Sequence, residues 1–98
     1  MMRELYVNAV EAGMRLEGRL FLGNRSLREA VVESGEGGKG LAQDLETCIR
    51  ALCLDLEMPT PIWLPKNTRE FARFHQTVFF EGQFTDRVSF DRFQIRWL

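Results

Sequence analysis

Between Met14 and Leu22 the chain alternates without interruption. Met14, Leu16, Gly18, Leu20 and Leu22 fall in one phase, and Arg15, Glu17, Arg19 and Phe21 in the other. A two-residue period places the first set on one side of an extended strand and the charges on the other, a pattern that no helix can use. A strand with one dry and one wet face belongs to an antiparallel sheet. Gly23-Asn24-Arg25-Ser26 suits a reversal, because Gly and Asn tolerate positive φ. Leu27 to Ser34 then reads as a returning strand. Leu5 to Val10 reads as a preceding one, with Glu11-Ala12-Gly13 as its turn, so the expected arrangement is an antiparallel meander.

After the glycine-rich stretch Ser34–Gly40 the period changes. Leu41, Leu45, Cys48, Ile49, Leu52 and Leu56 recur at helical spacing, which predicts a helix over 41–57 with one apolar stripe. Leu54 stands alone on its polar side. Pro59-Thr60-Pro61 is expected to end the helix, since proline lacks an amide donor and restricts the residue before it. Ile62-Trp63-Leu64-Pro65 is an apolar joint. Asn67, with Glu70 three residues on, predicts a capped helix start and a short helix over about 67–75.

Strand character returns at Thr77–Phe80, followed by a Glu81-Gly82 turn. Val88 and Phe90 are out of phase with Phe93, Ile95 and Trp97, which predicts a bulge or break near Asp91-Arg92 and a core strand beyond it. Together these segments predict one α+β domain over 1–98. An antiparallel sheet of about four strands packs against one long and one short helix, with the C-terminal strand joining the meander.

Composition narrows the function classes. With 98 residues, 45% of them apolar, the chain suits one globular core. A net charge of −1 gives no strong overall field towards DNA or an anionic membrane. No apolar run approaches the roughly 20 residues of a spanning helix, and the first residues lack a signal-peptide pattern, so a cytoplasmic location is expected. Cys48 and Cys53 lie roughly 140° apart around a helix, which keeps them from bridging each other.

Candidate chemistry is sparse. Gly35-x-Gly37-x-x-Gly40 matches the dinucleotide fingerprint in letters, but no following parallel strand carries the acidic residue it needs. It reads as a connector. Lys39 is followed by Gly40, so no Walker-type phosphate loop is present. His75 reads as a cation at a helix end, and one histidine with two cysteines falls short of a zinc site. The carboxylates have no spacing that marks an acid–base pair. No catalytic, cofactor-binding or metal-ligating residue is assigned, and no cofactor, metal or membrane partner is expected.

Two surface features remain. Charge divides unevenly, with seven basic and ten acidic residues to position 57 and six and four after it. Lys66, Arg69 and Arg73 are the best basic cluster, a candidate contact for nucleic acid or another anion. A small sheet also leaves edges open to a second chain. Arg15, Glu17, Arg19 and Phe21 on the second strand's outward face, with Leu54, are the candidate interface of a homodimer. The leading expectation is therefore a small non-enzymatic domain that binds a protein partner or itself. The alternative is an accessory nucleic-acid binder using the basic, aromatic-rich C-terminal part.

Pro61-Ile62-Trp63-Leu64-x-Lys66-Asn67-x-x-Glu70-Phe71 resembles a block shared by a group of short, uncharacterised bacterial proteins. There it precedes a Thr-x-Phe element like Thr77-Val78-Phe79 and a Phe-Asp pair like Phe90-Asp91. The likeness spans roughly residues 41–97, while the N-terminal segments are longer than the hairpin of that group. The resemblance implies a common fold and no function.

Overall fold

The computed structural model describes residues 14–34 and 40–98. Strands β1 (Arg15–Leu22) and β2 (Arg25–Glu33) come first. Helices α1 (Leu41–Asp55) and α2 (Pro65–Phe74) follow, then strands β3 (Gln76–Phe80) and β4 (Arg92–Trp97). The four strands form one antiparallel sheet in the order β2-β1-β4-β3. The fold class is α+β, as the change of period predicts.

The strand order corrects the meander. The two helices carry the chain across the inner face of the sheet before β3 begins. β4 then takes the side of β1 that β2 leaves open, pairing Leu16 with Trp97 and Phe21 with Arg92. β1 is thus an inner strand, with neighbours on both sides. The expected strand at Leu5–Val10 lies outside the described residues.

Alternation holds in β1, β3 and β4. Leu16, Gly18 and Leu20 of β1 join Phe93 and Ile95 of β4 and Phe79 of β3 on the inner face, where Cys48, Ile49, Leu52, Cys53 and Leu56 of α1 and Phe71 of α2 cover them. The phase change near Asp91 is a strand end rather than a bulge. β4 starts at Arg92, and Phe90 reaches the core from the preceding loop, edge-on to Phe84. A register shift falls instead between Leu20 and Phe21, against β2.

The helix ends differ from expectation for local reasons. α1 stops at Asp55, ahead of the prolines. Glu57 adopts φ 54 while its N–H donates to the Leu54 carbonyl, and Met58 N–H donates to the Cys53 carbonyl. That is a Schellman closure, formed here without glycine. α2 begins two residues before Asn67, because Pro65 at the first position needs no amide partner and supplies a helical φ.

Gly18 sets the helix-to-sheet distance. A Cβ built there lies 3.0 Å from Phe93 Cε1 and 3.1 Å from Leu52 Cδ1. Both neighbours are fully buried, so neither can move aside without displacing others. Gly18→Ala is expected to lower stability by about 1–3 kcal/mol, read as a reduced urea midpoint with unchanged slope. An unchanged midpoint would show that α1 lifts freely.

Candidate functional site

The expected N-cap, Asn67, is the centre of a buried polar clamp. It is 0% exposed. Its Oδ1 accepts from Leu64 N–H (2.9 Å) and Gln83 Nε2 (2.9 Å), and its Nδ2 donates to Thr77 Oγ1 (2.8 Å) and the Val78 carbonyl (3.2 Å). The Thr77 hydroxyl in turn donates a hydrogen bond to Glu70 Oε1 (2.5 Å). Glu70, predicted to reach back along the helix, thus reaches across to β3, and Asn67 performs the backward contact to the N-cap.

The other residues of the Trp63 block have comparable packing tasks. Ile62 exchanges hydrogen bonds with Gln83 through its own N–H (2.6 Å) and carbonyl (3.0 Å). Trp63 packs against Phe71 and Phe79 and donates its indole N–H to Thr68 Oγ1 (2.7 Å). Asp91 Oδ2 accepts Gly23 N–H (2.8 Å) at the β1–β2 turn, which holds its carboxyl below the usual range. Arg92 bonds the Gly23 carbonyl and lies over the Phe21 ring. These motifs lock turns and helix ends to the sheet.

The basic trio does not converge. Lys66 turns to the β3 edge, donating to the Val78 carbonyl (3.1 Å) with its ammonium 5.0 Å from the Phe80 ring centroid. Arg69 and Arg73 stay on the exposed face of α2, where Arg73 lies over Phe74.

Arg15, Glu17, Arg19 and Phe21 share the open face of the sheet, but they front no edge, because β1 is internal. Their charges are matched within the sheet. Arg15 pairs with Glu33 (3.1 Å), Arg19 with Glu29 (3.2 Å), and Glu17 with Arg96 (3.3 Å). Leu54 is 78% exposed, on the side of α1 away from its buried stripe.

The two outer strands differ. On β3 the outward Val78 carbonyl is taken by Lys66 and Asn67, and the Phe80 N–H donates to Gln83 Oε1 (3.0 Å). On β2, Ser34 N–H donates to the Met14 carbonyl (2.8 Å). Antiparallel alternation then turns the backbone groups of Glu29, Val31 and Glu33 away from β1. Among the described residues no such side-chain cap covers them.

Between α1 and α2 lies a cavity of about 810 Å³, walled by Leu41, Leu45, Ile49, Trp63 and Phe71. The sequence pattern marks these residues as core. Leu41 and Leu45 continue the α1 stripe past the point where the sheet covers it, and Leu41 is left 51% exposed. The signal in the sequence is a stripe longer than the sheet beneath can bury.

The remaining chemical candidates are inert in place. Cys48 and Cys53 are free and buried. Burial raises both thiols, Cys53 to about 11, so neither is a thiolate near neutral pH. His75 caps α2 with φ 59 and packs on Trp97. Among the described residues no cluster of histidine, cysteine and carboxylate side chains suits a metal, and no helix is long and apolar enough to cross a membrane. Of the Gly35–Gly40 loop only Gly40, which precedes α1, is described. Compared with known proteins, the chain matches no family model, no curated protein and no solved structure.

Proposed function

We propose that this is a small non-enzymatic protein-binding domain that associates with a second copy of itself along β2. The observation that carries this reading is the contrast between the two sheet edges. Among the described residues, side chains cap β3, while none caps the outward amides and carbonyls of Glu29, Val31 and Glu33 on β2. An edge of that kind recruits another strand.

The residues of β2 suit a two-fold pairing centred on Val31, which is 46% exposed. Such a register sets Val31 against its own copy and Ala30 against Val32, giving an apolar centre. The same register sets Glu29 of each copy against Glu33 of the other, so the ends of the contact depend on Arg19 and Arg15, which already pair with these carboxylates within each chain. Apolar centres with polar rims are the usual anatomy of an interface. This moves the expected homodimer contact from the face of β1 to the edge of β2. The nucleic-acid alternative loses support from the geometry, because Lys66 is turned away from Arg69 and Arg73.

Val31→Pro removes one outward amide and is tolerated on an edge strand. Light scattering coupled to size exclusion at low micromolar concentration is expected to give twice the 11.4 kDa chain mass for the native protein and the single mass for the variant, with unchanged far-ultraviolet dichroism. A native monomer at 100 μM would reject the reading.

A further inference from the structure

We infer that Lys66 is an edge guard: its ammonium lies across the outer side of β3 and keeps that strand from pairing with a second copy of the chain. The consequence for the size of the assembly rests on the β2 reading; the guard itself does not.

Left to its own residues, β3 is a strand that pairs. Gln76-Thr77-Val78-Phe79-Phe80 carries no charge, no proline and no glycine, a composition that favours strand association wherever an edge is open. The His75 carbonyl accepts Trp97 N–H on the β4 side, so alternation turns the backbone groups of Gln76, Val78 and Phe80 outward. Their side chains share the open face, opposite Arg96, Gln94 and Arg92, and Phe80 is 49% exposed. β2 carries Glu29 and Glu33 at the equivalent positions. β3 has no charge of its own to refuse a partner.

Lys66, in the first turn of α2, supplies it. Its Nζ donates to the Val78 carbonyl at 3.1 Å and sits 5.0 Å from the Phe80 ring centroid. Asn67 Nδ2 takes the same carbonyl at 3.2 Å, which fills both lone pairs. A second β3 paired about Val78 would need that carbonyl for its own Val78 N–H, and would press two ammoniums into the seam. Lys66 has no carboxylate partner among the ion pairs of the described residues. Its charge would be buried unpaired, which outweighs the hydrogen bonds gained. With β3 guarded, pairing through β2 closes at two copies. A chain with two competent edges would instead build an open row.

The test isolates β3 by first removing the β2 contact. In a Val31→Pro background, Lys66→Met keeps an apolar stem and discards the charge. Light scattering coupled to size exclusion at about 100 μM is expected to give the single 11.4 kDa mass for Val31→Pro and at least twice that mass for Val31→Pro/Lys66→Met. Lys66→Arg in the same background keeps the charge and should stay single. Adding Val78→Pro to the methionine variant deletes an outward β3 amide and should restore the single mass. With Val31 intact, Lys66→Met should grow past two copies as concentration rises.

A single mass for Val31→Pro/Lys66→Met with native far-ultraviolet dichroism would overturn the guard. So would equal association by Lys66→Arg, or a larger mass that survives Val78→Pro. Lys66→Gln, which also lacks the charge, is measured alongside, so that loss of dichroism in the methionine variant leaves the same outcomes to be read. A native protein that is monomeric would reject the β2 contact alone, because the Val31→Pro variants do not use it.

Discussion

Asn67→Leu is expected to destabilise the protein by about 3 kcal/mol or more. Leucine keeps the approximate shape of the side chain but makes none of its four hydrogen bonds. Leu64 N–H and the Gln83 amide would lose an acceptor at a fully buried site, and the Val78 carbonyl and Thr77 hydroxyl would lose a donor. Each buried group left unpaired costs about 1–3 kcal/mol. Partial compensation from Lys66 on the Val78 carbonyl keeps the total below the sum. Urea unfolding of Asn67→Leu, with Thr77→Val as the smaller companion, measures the effect. A loss under about 1 kcal/mol for Asn67→Leu would show that the clamp only fills space.

Phe79→Ala should cost about 3–5 kcal/mol, the usual range for emptying a buried phenylalanine site. Phe79 is fully buried, with ring centroids 5.6 Å from both Trp63 and Phe93. It joins the loop before α2 to the sheet, so its loss leaves a cavity bounded by rings from two layers. Its neighbour Phe80 points to the open face and is exposed. Phe80→Ala should change stability by no more than about 0.5 kcal/mol, the surface range. Thermal unfolding of the pair tests the register of β3 directly. Equal losses in the two variants would contradict it.

The predictions concern Asn67 of the Trp63 block and Phe79 of the Thr-x-Phe element that follows it. In the structure the block is a set of fastenings: Asn67 and Glu70 tie α2 to β3, Ile62 is tied to Gln83, and Trp63 roofs Phe79. Its spacing reflects the geometry of one helix start against one strand edge. The edge proposed for self-association lies elsewhere, on β2.

The alternation of Met14–Leu22 and the stripe from Leu41 to Leu56 determined by themselves that the chain builds an antiparallel sheet with a helix across it. Side-chain period is a local property, fixed by the backbone geometry of each element. The inner and outer faces of β1 followed from the same pattern. Tertiary structure alone decided which strands are neighbours, because hydrogen-bonding sides are the same for every extended sequence and carry no letter code. β4, rather than an earlier segment, therefore occupies the second side of β1, and among the described residues the outer strands are β2 and β3. It also decided that Asn67 caps backwards while Glu70 crosses to Thr77, since both side chains had two plausible partners until β3 arrived. The cavity is of the same kind: a stripe states which residues avoid water, and only the packed helices settle how many of them find cover.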